Sequence, residues 1–219
     1  MRLNKFIASA TGMSRRAADA AINDHRVLVN GKTPELGQDI TDSDSVMVDG
    51  RPISAPSITM TIMLNKPAGY VVSRDGQGSK TIYDLLPPEL HHLKPVGRLD
   101  KDSSGLLLLT DDGQLHHRLT HPSFEKEKVY EVTLHRDLIE TDYHKITRDG
   151  IPLEDGLSKF RLDSINRSKT AWRVTMHEGR NQQIRRTFKA AAYTVVKLHR
   201  VQFGDYTLGD LASGTYRVV

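Results

Sequence analysis

The sequence predicts an α+β fold in two parts: a small N-terminal module over residues 1–53 and a larger domain over 60–219 built on a mixed, mainly antiparallel sheet. Three observations carry this. Beyond residue 60 the strand-like segments outnumber the helical ones and do not alternate with them regularly, which argues against a doubly wound parallel sheet. Leu106 to Leu109 is an unbroken apolar run, the pattern of a strand covered on both faces. Between the two parts, Ser54-Ala55-Pro56-Ser57 is small and proline-bearing, and reads as the start of a linker over 54–59.

In the first part, Leu3, Phe6, Ile7 and Ala10 fall at i, i+3, i+4 and i+7 and predict a helix that Gly12 stops. Ser14 is placed to cap a second helix carrying Ala17, Ala18, Ala21 and Ile22. Val27-Leu28-Val29 and Ser45-Val46-Met47-Val48 read as strands, with tight-turn signals at Asn30-Gly31 and Asp49-Gly50. Charge divides the module: residues 1–32 carry six Lys/Arg against two Asp, and residues 33–53 one Arg against five acids, so one end should be electropositive. In the second part, strands are predicted at 60–64, 106–110, 129–134, 172–176, 195–198 and 216–219. Helices are predicted at 82–86, 113–119, 138–147 and 181–192.

Composition narrows the function. At 219 residues the chain can bury a core without covalent staples. The absence of cysteine removes disulfides, thiolate metal sites and cysteine nucleophiles, and fits a reducing, cytoplasmic setting. No apolar run approaches the roughly 20 residues that cross a bilayer, and none follows Met1-Arg2-Leu3-Asn4-Lys5, so a soluble, unprocessed protein off the membrane is expected, acting as a monomer. Net charge is +4, yet Arg167 to Arg200 alone holds nine Lys/Arg against one acid, Glu178. That local +8 favours a polyanionic partner. With aromatics at 6 %, one or two pocket aromatics are expected rather than an extended stacking platform. The chain lacks GxxxxGK and GxGxxG motifs, so no nucleotide cofactor is expected. His91-His92, His116-His117 and His121 have no acidic ligand at a metal spacing, so no metal is expected.

The most informative stretch is Gly97-Arg98-Leu99-Asp100-Lys101-Asp102-Ser103-Ser104-Gly105-Leu106. It sets a carboxylate and a guanidinium in a glycine-punctuated turn that enters the apolar run, a charged loop at the rim of a packed core. On local sequence alone Asp100 reads first as a turn carboxylate bonding the amides after it. Three further segments accompany this stretch: Asn65-Lys66-Pro67-Ala68-Gly69-Tyr70 upstream, then Lys128-Val129-Tyr130, then Glu178-Gly179-Arg180-Asn181-Gln182-Gln183-Ile184-Arg185-Arg186. Together and in this order they resemble the RsuA/RluB/RluE/RluF group of ribosomal RNA pseudouridine synthases, over the whole chain.

That resemblance implies a twisted sheet with a cleft across it and a site for isomerising uridine to pseudouridine without metal or cofactor. It implies that Asp100 is the catalytic carboxylate, acting as base or nucleophile, and that Arg185 is its basic partner, favouring the ionised form. Tyr130 is the active-site tyrosine, able to stack on uracil and approach C5, and Ile184 the apolar floor opposite it. Arg98 is assigned to base flipping, filling the stack the target base leaves. Lys66-Pro67 is expected to pack behind Tyr130 in a structural role. Arg180, Arg186 and Lys189 are expected to contact phosphates or sugars, which set affinity and register rather than sequence. In the first part, Ser14-Arg15-Arg16 and Arg26-Val27-Leu28-Val29-Asn30-Gly31-Lys32 look like an S4-type RNA-binding module, which makes Arg15, Arg16, Arg26 and Lys32 RNA contacts. The expected partner is ribosomal RNA or a ribosomal-subunit assembly intermediate. The alternative is a non-catalytic assembly factor on the same fold.

Overall fold

The computed structural model describes residues 1–54, 59–165, 167 and 169–219. The linker expected at Ala55, Pro56 and Ser57 lies outside the described residues. The chain divides into two compact units, Met1–Met60 with Asp111–Gly113, and Thr61–Thr110 with Gln114–Val219.

In the first unit, α1 (Leu3–Thr11) ends where Gly12 adopts φ 78°, a left-handed cap that suits a residue without Cβ. The Ser14 side chain opens α2 (Arg15–Asn23) by accepting a 3.0 Å hydrogen bond from the Ala17 amide. Strands β1 (Val27–Val29), β2 (Val46–Val48) and β3 (Arg51–Ile53) form an antiparallel sheet in that order. Asp49 and Gly50, both at positive φ, make the tight turn from β2 to β3. Asn30-Gly31 does not join two strands of the sheet: it closes a small loop in which Val29 bridges Lys32, and the chain travels to residue 46 before β1 finds its partner. Leu3, Ile7, Ala18, Ala21 and Ile22 pack on Val27, Val29, Val46 and Val48. The sequence reading lacks β3, because Arg51-Pro52-Ile53 has little strand character; as an edge strand it tolerates proline.

The second unit holds β4 (Thr61–Lys66), β5 (Lys94–Pro95), β6 (Ser104–Thr110), β7 (Lys128–Leu134), β8 (Ile151–Leu153), β9 (Gly156–Ser158), β10 (Arg161–Ser164), β11 (Ala171–Met176), β12 (Val195–Phe203), β13 (Tyr206–Thr207) and β14 (Tyr216–Val218). Its helices are α3 (Gly113–Thr120), α4 (Glu140–His144) and α5 (Gln183–Ala190). The main sheet runs β10-β11-β7-β12-β6-β4-β14, with β5 on β6, β13 on β12, and β8-β9 a separate ribbon. Every pairing along it is antiparallel except β12 with β6. The mixed, mainly antiparallel α+β class is therefore the observed one. The Leu106–Leu109 run is covered on both faces: Leu107 and Leu109 join Ile62, Leu64, Tyr130 and Phe188, while Leu106 and Leu108 join Met63, Val96 and Phe203.

Two predicted helices change character. Residues 82–85 form a 3-10 turn capped by Thr81, and α4 passes at Lys145 into a π-helical turn ending before Gly150. Strands β5, β8, β9, β10 and β13 span only two to four residues, too few for a period to show.

The parallel seam has a stringent steric requirement. Gly105 sits at φ +105°, and a Cβ there would lie 2.2 Å from the Arg200 carbonyl oxygen and 2.6 Å from its amide nitrogen. Only glycine permits β6 and β12 to approach here while holding that dihedral. Gly105→Ala is expected to destabilise the protein by about 3 kcal/mol or more, through combined backbone strain and overlap with a neighbouring strand; urea denaturation followed by circular dichroism reads the loss.

Candidate active site

The site is built around a buried ammonium. Lys66 closes β4 with a side chain that is 0 % exposed, and its Nζ donates to four carbonyls: Ser103 at 2.6 Å, Pro67 and Asp100 at 3.1 Å, and Lys101 at 3.4 Å. Three of these belong to the turn that carries Asp100. A buried charge is tolerated only when such acceptors surround it, so the turn and the lysine fix each other. Burial pushes the Lys66 pKa down to about 8, against the opposing pull of the Asp100 and Asp102 carboxylates.

Arg185 ties the same turn to α5. Its Nη2 donates to the Asp102 carbonyl and its Nη1 to the Val195 carbonyl, both at 3.0 Å, so helix, turn and β12 are linked through one guanidinium. The Asp100 carboxylate is half-buried and has no hydrogen bond or ion pair among the described residues. Arg185, expected as the basic partner of Asp100, thus donates to the backbone two residues on rather than to the Asp100 carboxylate.

A cavity of about 1160 Å³ lies within the second unit and brings Arg98, Asp100, Tyr130, Ile184 and Arg200 into one lining. Tyr130, on central strand β7, is 9 % exposed, and Ile184, in the first turn of α5, 5 %. The helix is seated from below by its polar underside: Thr187 donates to Ser158 Oγ at 2.7 Å, and Gln183 donates to Ser158 and to Glu178. Arg98 is exposed at the cavity rim.

The remaining basic residues divide. Arg186 makes a bidentate pair with Asp155, at 3.0 and 2.6 Å, and Arg180 reaches Asp155, Glu178 and the carbonyls of residues 155–157. Both therefore order the segment around α5. Lys189 is exposed on that helix. In the first unit Arg26 pairs bidentately with Asp49, at 2.6 and 2.7 Å, whereas Arg16 and Lys32 are exposed and Arg15 reaches only the Asn4 side chain, at 3.2 Å.

Sequence reasoning missed the weight of Lys66 and Arg200. A signal existed for each. Lys66 ends a strand whose middle, Ile62-Met63-Leu64, is apolar, and Arg200 stands two residues from Leu198, on its face of β12, so period two already puts a cation on a covered face. The histidines singled out lie apart from any metal-like cluster: among the described residues no group of three or more His, Asp or Glu is placed to hold an ion. Nor is any helix among them long and apolar enough to cross a membrane.

Lys66→Met removes the donors of four carbonyls and should lower stability by about 3 kcal/mol at pH 7 in urea denaturation. The sign of its pH dependence follows from the depressed pKa. Between about 8 and the unfolded value of 10.5 the unfolded chain binds the extra proton, so the wild type should gain stability across that window relative to Lys66→Met.

Comparison with known proteins matches this geometry. The family model described as RNA pseudouridylate synthase matches residues 60–190. The chain is 39 % identical over 223 residues to a ribosomal small subunit pseudouridine synthase A from Yersinia pestis, covering 99 % of this chain and 94 % of the relative. It is 37 % identical over 223 residues to a ribosomal large subunit pseudouridine synthase B from Bacillus subtilis, covering 99 % and 91 %. A crystal structure of a pseudouridylate synthase superposes with a TM-score of 0.71 at 35 % identity, covering all of this chain and 96 % of that one. A charged turn pinned beneath a cleft, a strand tyrosine across from it, and likeness along the full length together place the chain in the RNA pseudouridine synthase family.

Proposed function

We propose that the protein isomerises uridine to pseudouridine in ribosomal RNA, with Asp100 as its essential carboxylate. The observation that carries the reading is the Asp100 turn itself: backbone held by Lys66 and Arg185, carboxylate without a hydrogen-bond or ion-pair partner among the described residues, lining a cavity shared with Tyr130 and Ile184. The reaction breaks N1–C1′, turns the base, and joins C5 to C1′; the C5 proton leaves and N1 gains one, so no oxidant or metal is consumed. Such chemistry asks for an ionised carboxylate at the sugar or base edge and a surface on which the freed base can turn. Tyr130 and Ile184 offer the surface, and Arg98 at the rim is suited to fill the gap left by an extruded base.

Arg185 acts in this reading through the turn rather than through a direct ion pair. Arg180 and Arg186 reach phosphate only by exchanging Asp155 for it, and Lys189 is free to do so directly. Residues 1–53 serve as an S4-like RNA-binding module, with Arg15, Arg16 and Lys32 as its contacts and Arg26 shared with Asp49; residues 54–59 are the linker and 60–219 the catalytic domain. The relatives named for small- and large-subunit work support ribosomal RNA as the partner; the proposal extends this to RNA free or in an assembly intermediate and to a cytoplasmic monomer.

Asp100→Asn is nearly isosteric and should hold RNA affinity within about threefold while abolishing turnover, because an amide supplies neither base nor nucleophile. Release of tritium from RNA labelled at uridine C5 measures it; turnover of the variant near the wild-type rate would refute the Asp100 assignment, whereas no release by the wild type would favour the assembly-factor reading. Replacing Arg15 and Arg16 together by Glu should leave turnover of a short saturating RNA unchanged. The same variant should weaken binding of a long structured rRNA fragment by about tenfold, with the deficit shrinking as salt rises. Equal affinities of variant and wild type for the long RNA would remove the module from recognition.

A further inference from the structure

We infer that Arg200 donates a hydrogen bond from Nη2 to a carbonyl oxygen of the target uracil, an inference that rests on the reading of the cavity as a uridine site. Arg200 is 2 % exposed, and its Nη2 is buried without a partner among the described residues. A buried guanidinium N–H left unpaired is costly, and such a group in a native fold calls for an acceptor. Here the acceptor has a place to sit, since Arg200 lines the cavity that also holds Asp100 and Tyr130.

Register fixes where the side chain starts. Arg200 of β12 stands directly opposite Tyr130 of β7, so the two project from the same face of the sheet, about 5 Å apart at Cα. A uracil lying on the Tyr130 ring directs its carbonyl oxygens sideways, in the plane of the base, toward the neighbouring strand. The guanidinium is already fixed: Nε donates to the Leu106 carbonyl at 2.8 Å, and its carbon sits 4.9 Å from the Phe203 ring centroid. A donor held in place before substrate arrives loses little on binding. Lys66 donates to four carbonyls and Lys128 to those of His177 and Glu178; Arg180 and Arg185 have their Nη atoms engaged and each leaves a buried Nε without a partner among the described residues, so of these three arginines it is Arg200 whose unpaired donor is a terminal Nη.

The symmetry of the base makes one donor useful throughout. Turning uracil by half a revolution about its N3–C6 axis exchanges N1 with C5 and O2 with O4. Arg200 therefore holds O2 or O4 before the turn and finds the other oxygen in the same place after it. It transfers no proton.

The test replaces oxygen by sulfur, a weaker acceptor, using RNAs with uridine, 2-thiouridine or 4-thiouridine at the target, and compares wild type with Arg200→Met by single-turnover tritium release. With uridine, Arg200→Met should react about 100-fold more slowly while its Kd stays within about threefold. Sulfur at one of the two positions should slow the wild type about tenfold and the variant no further, the coupling that a shared contact requires. A purely structural Arg200, or one acting only on the Asp100 charge, would leave the sulfur penalty equal in both proteins, and that result overturns the contact. Should circular dichroism show Arg200→Met unfolded, the wild-type series decides alone: no penalty from either sulfur rejects the inference. Wild type that releases no tritium from the unmodified RNA would refute the uridine reading itself, a failure distinct from loss of coupling.

Discussion

Everything at the candidate active site depends on one buried cation held by backbone oxygen. Lys66 Nζ collects the carbonyls of Pro67, Asp100, Lys101 and Ser103, and so converts a polar turn into a rigid platform at the end of a covered strand. Side-chain anchors would have used up the carboxylate; backbone anchors leave it free. Ordinary turns satisfy an aspartate by letting it cap the amides that follow. Here the Asp100 carboxylate has no such bond among the described residues, which is what its proposed role as base or nucleophile requires.

The seam between β6 and β12 is the second constraint, and it bears directly on the first. The pairing is parallel and short, His199 with Ser104 and Arg200 with Gly105, and it closes only because position 105 carries no Cβ. One residue therefore joins the turn of Asp100 to the strand of Arg200. On the opposite side β12 pairs with β7, so Tyr130 and Asp100 are brought to one cavity by two ladders that share a strand. Arg185 adds a third link, from α5 to the same turn. The turn of Asp100 is thus positioned by the registry of the strands that bracket it.

The fold was legible wherever one periodicity dominated. Leu106 to Leu109 announced a strand covered on both faces, and Gly12 and Ser14 marked a helix end and a helix start because their roles depend only on neighbours in sequence. Asn30-Gly31 misled because a turn signal states that the chain reverses, not which strand it then meets; here β1 waits until residue 46 for its partner. The candidate site was legible as a set of residues but not as a set of contacts. Whether Arg185 meets the Asp100 carboxylate or the Asp102 carbonyl is a matter of a few ångströms in tertiary packing, which spacing does not encode. Lys66 reads from sequence only as a structural residue behind Tyr130, since nothing local says that three of its four acceptors lie more than thirty residues away.

Charge gives the same lesson from the other direction. The basic segment from Arg167 to Arg200 reads as +8, yet acids outside that window fold onto it: Asp155 accepts from Arg180 and Arg186, and Glu131 lies 3.8 Å from Arg173. Part of the apparent RNA-binding charge is therefore spent internally, and the cations available to a phosphate are those such as Lys189 and Arg98 that stand exposed. The internal pairs are not lost to binding, however. An ion pair this open to solvent is weakly held, so in the proposed RNA complex a phosphate can replace Asp155 at small net cost. Until it does, Asp155 keeps both guanidiniums ordered beside α5, the helix that carries Ile184 and Arg185 to the cavity.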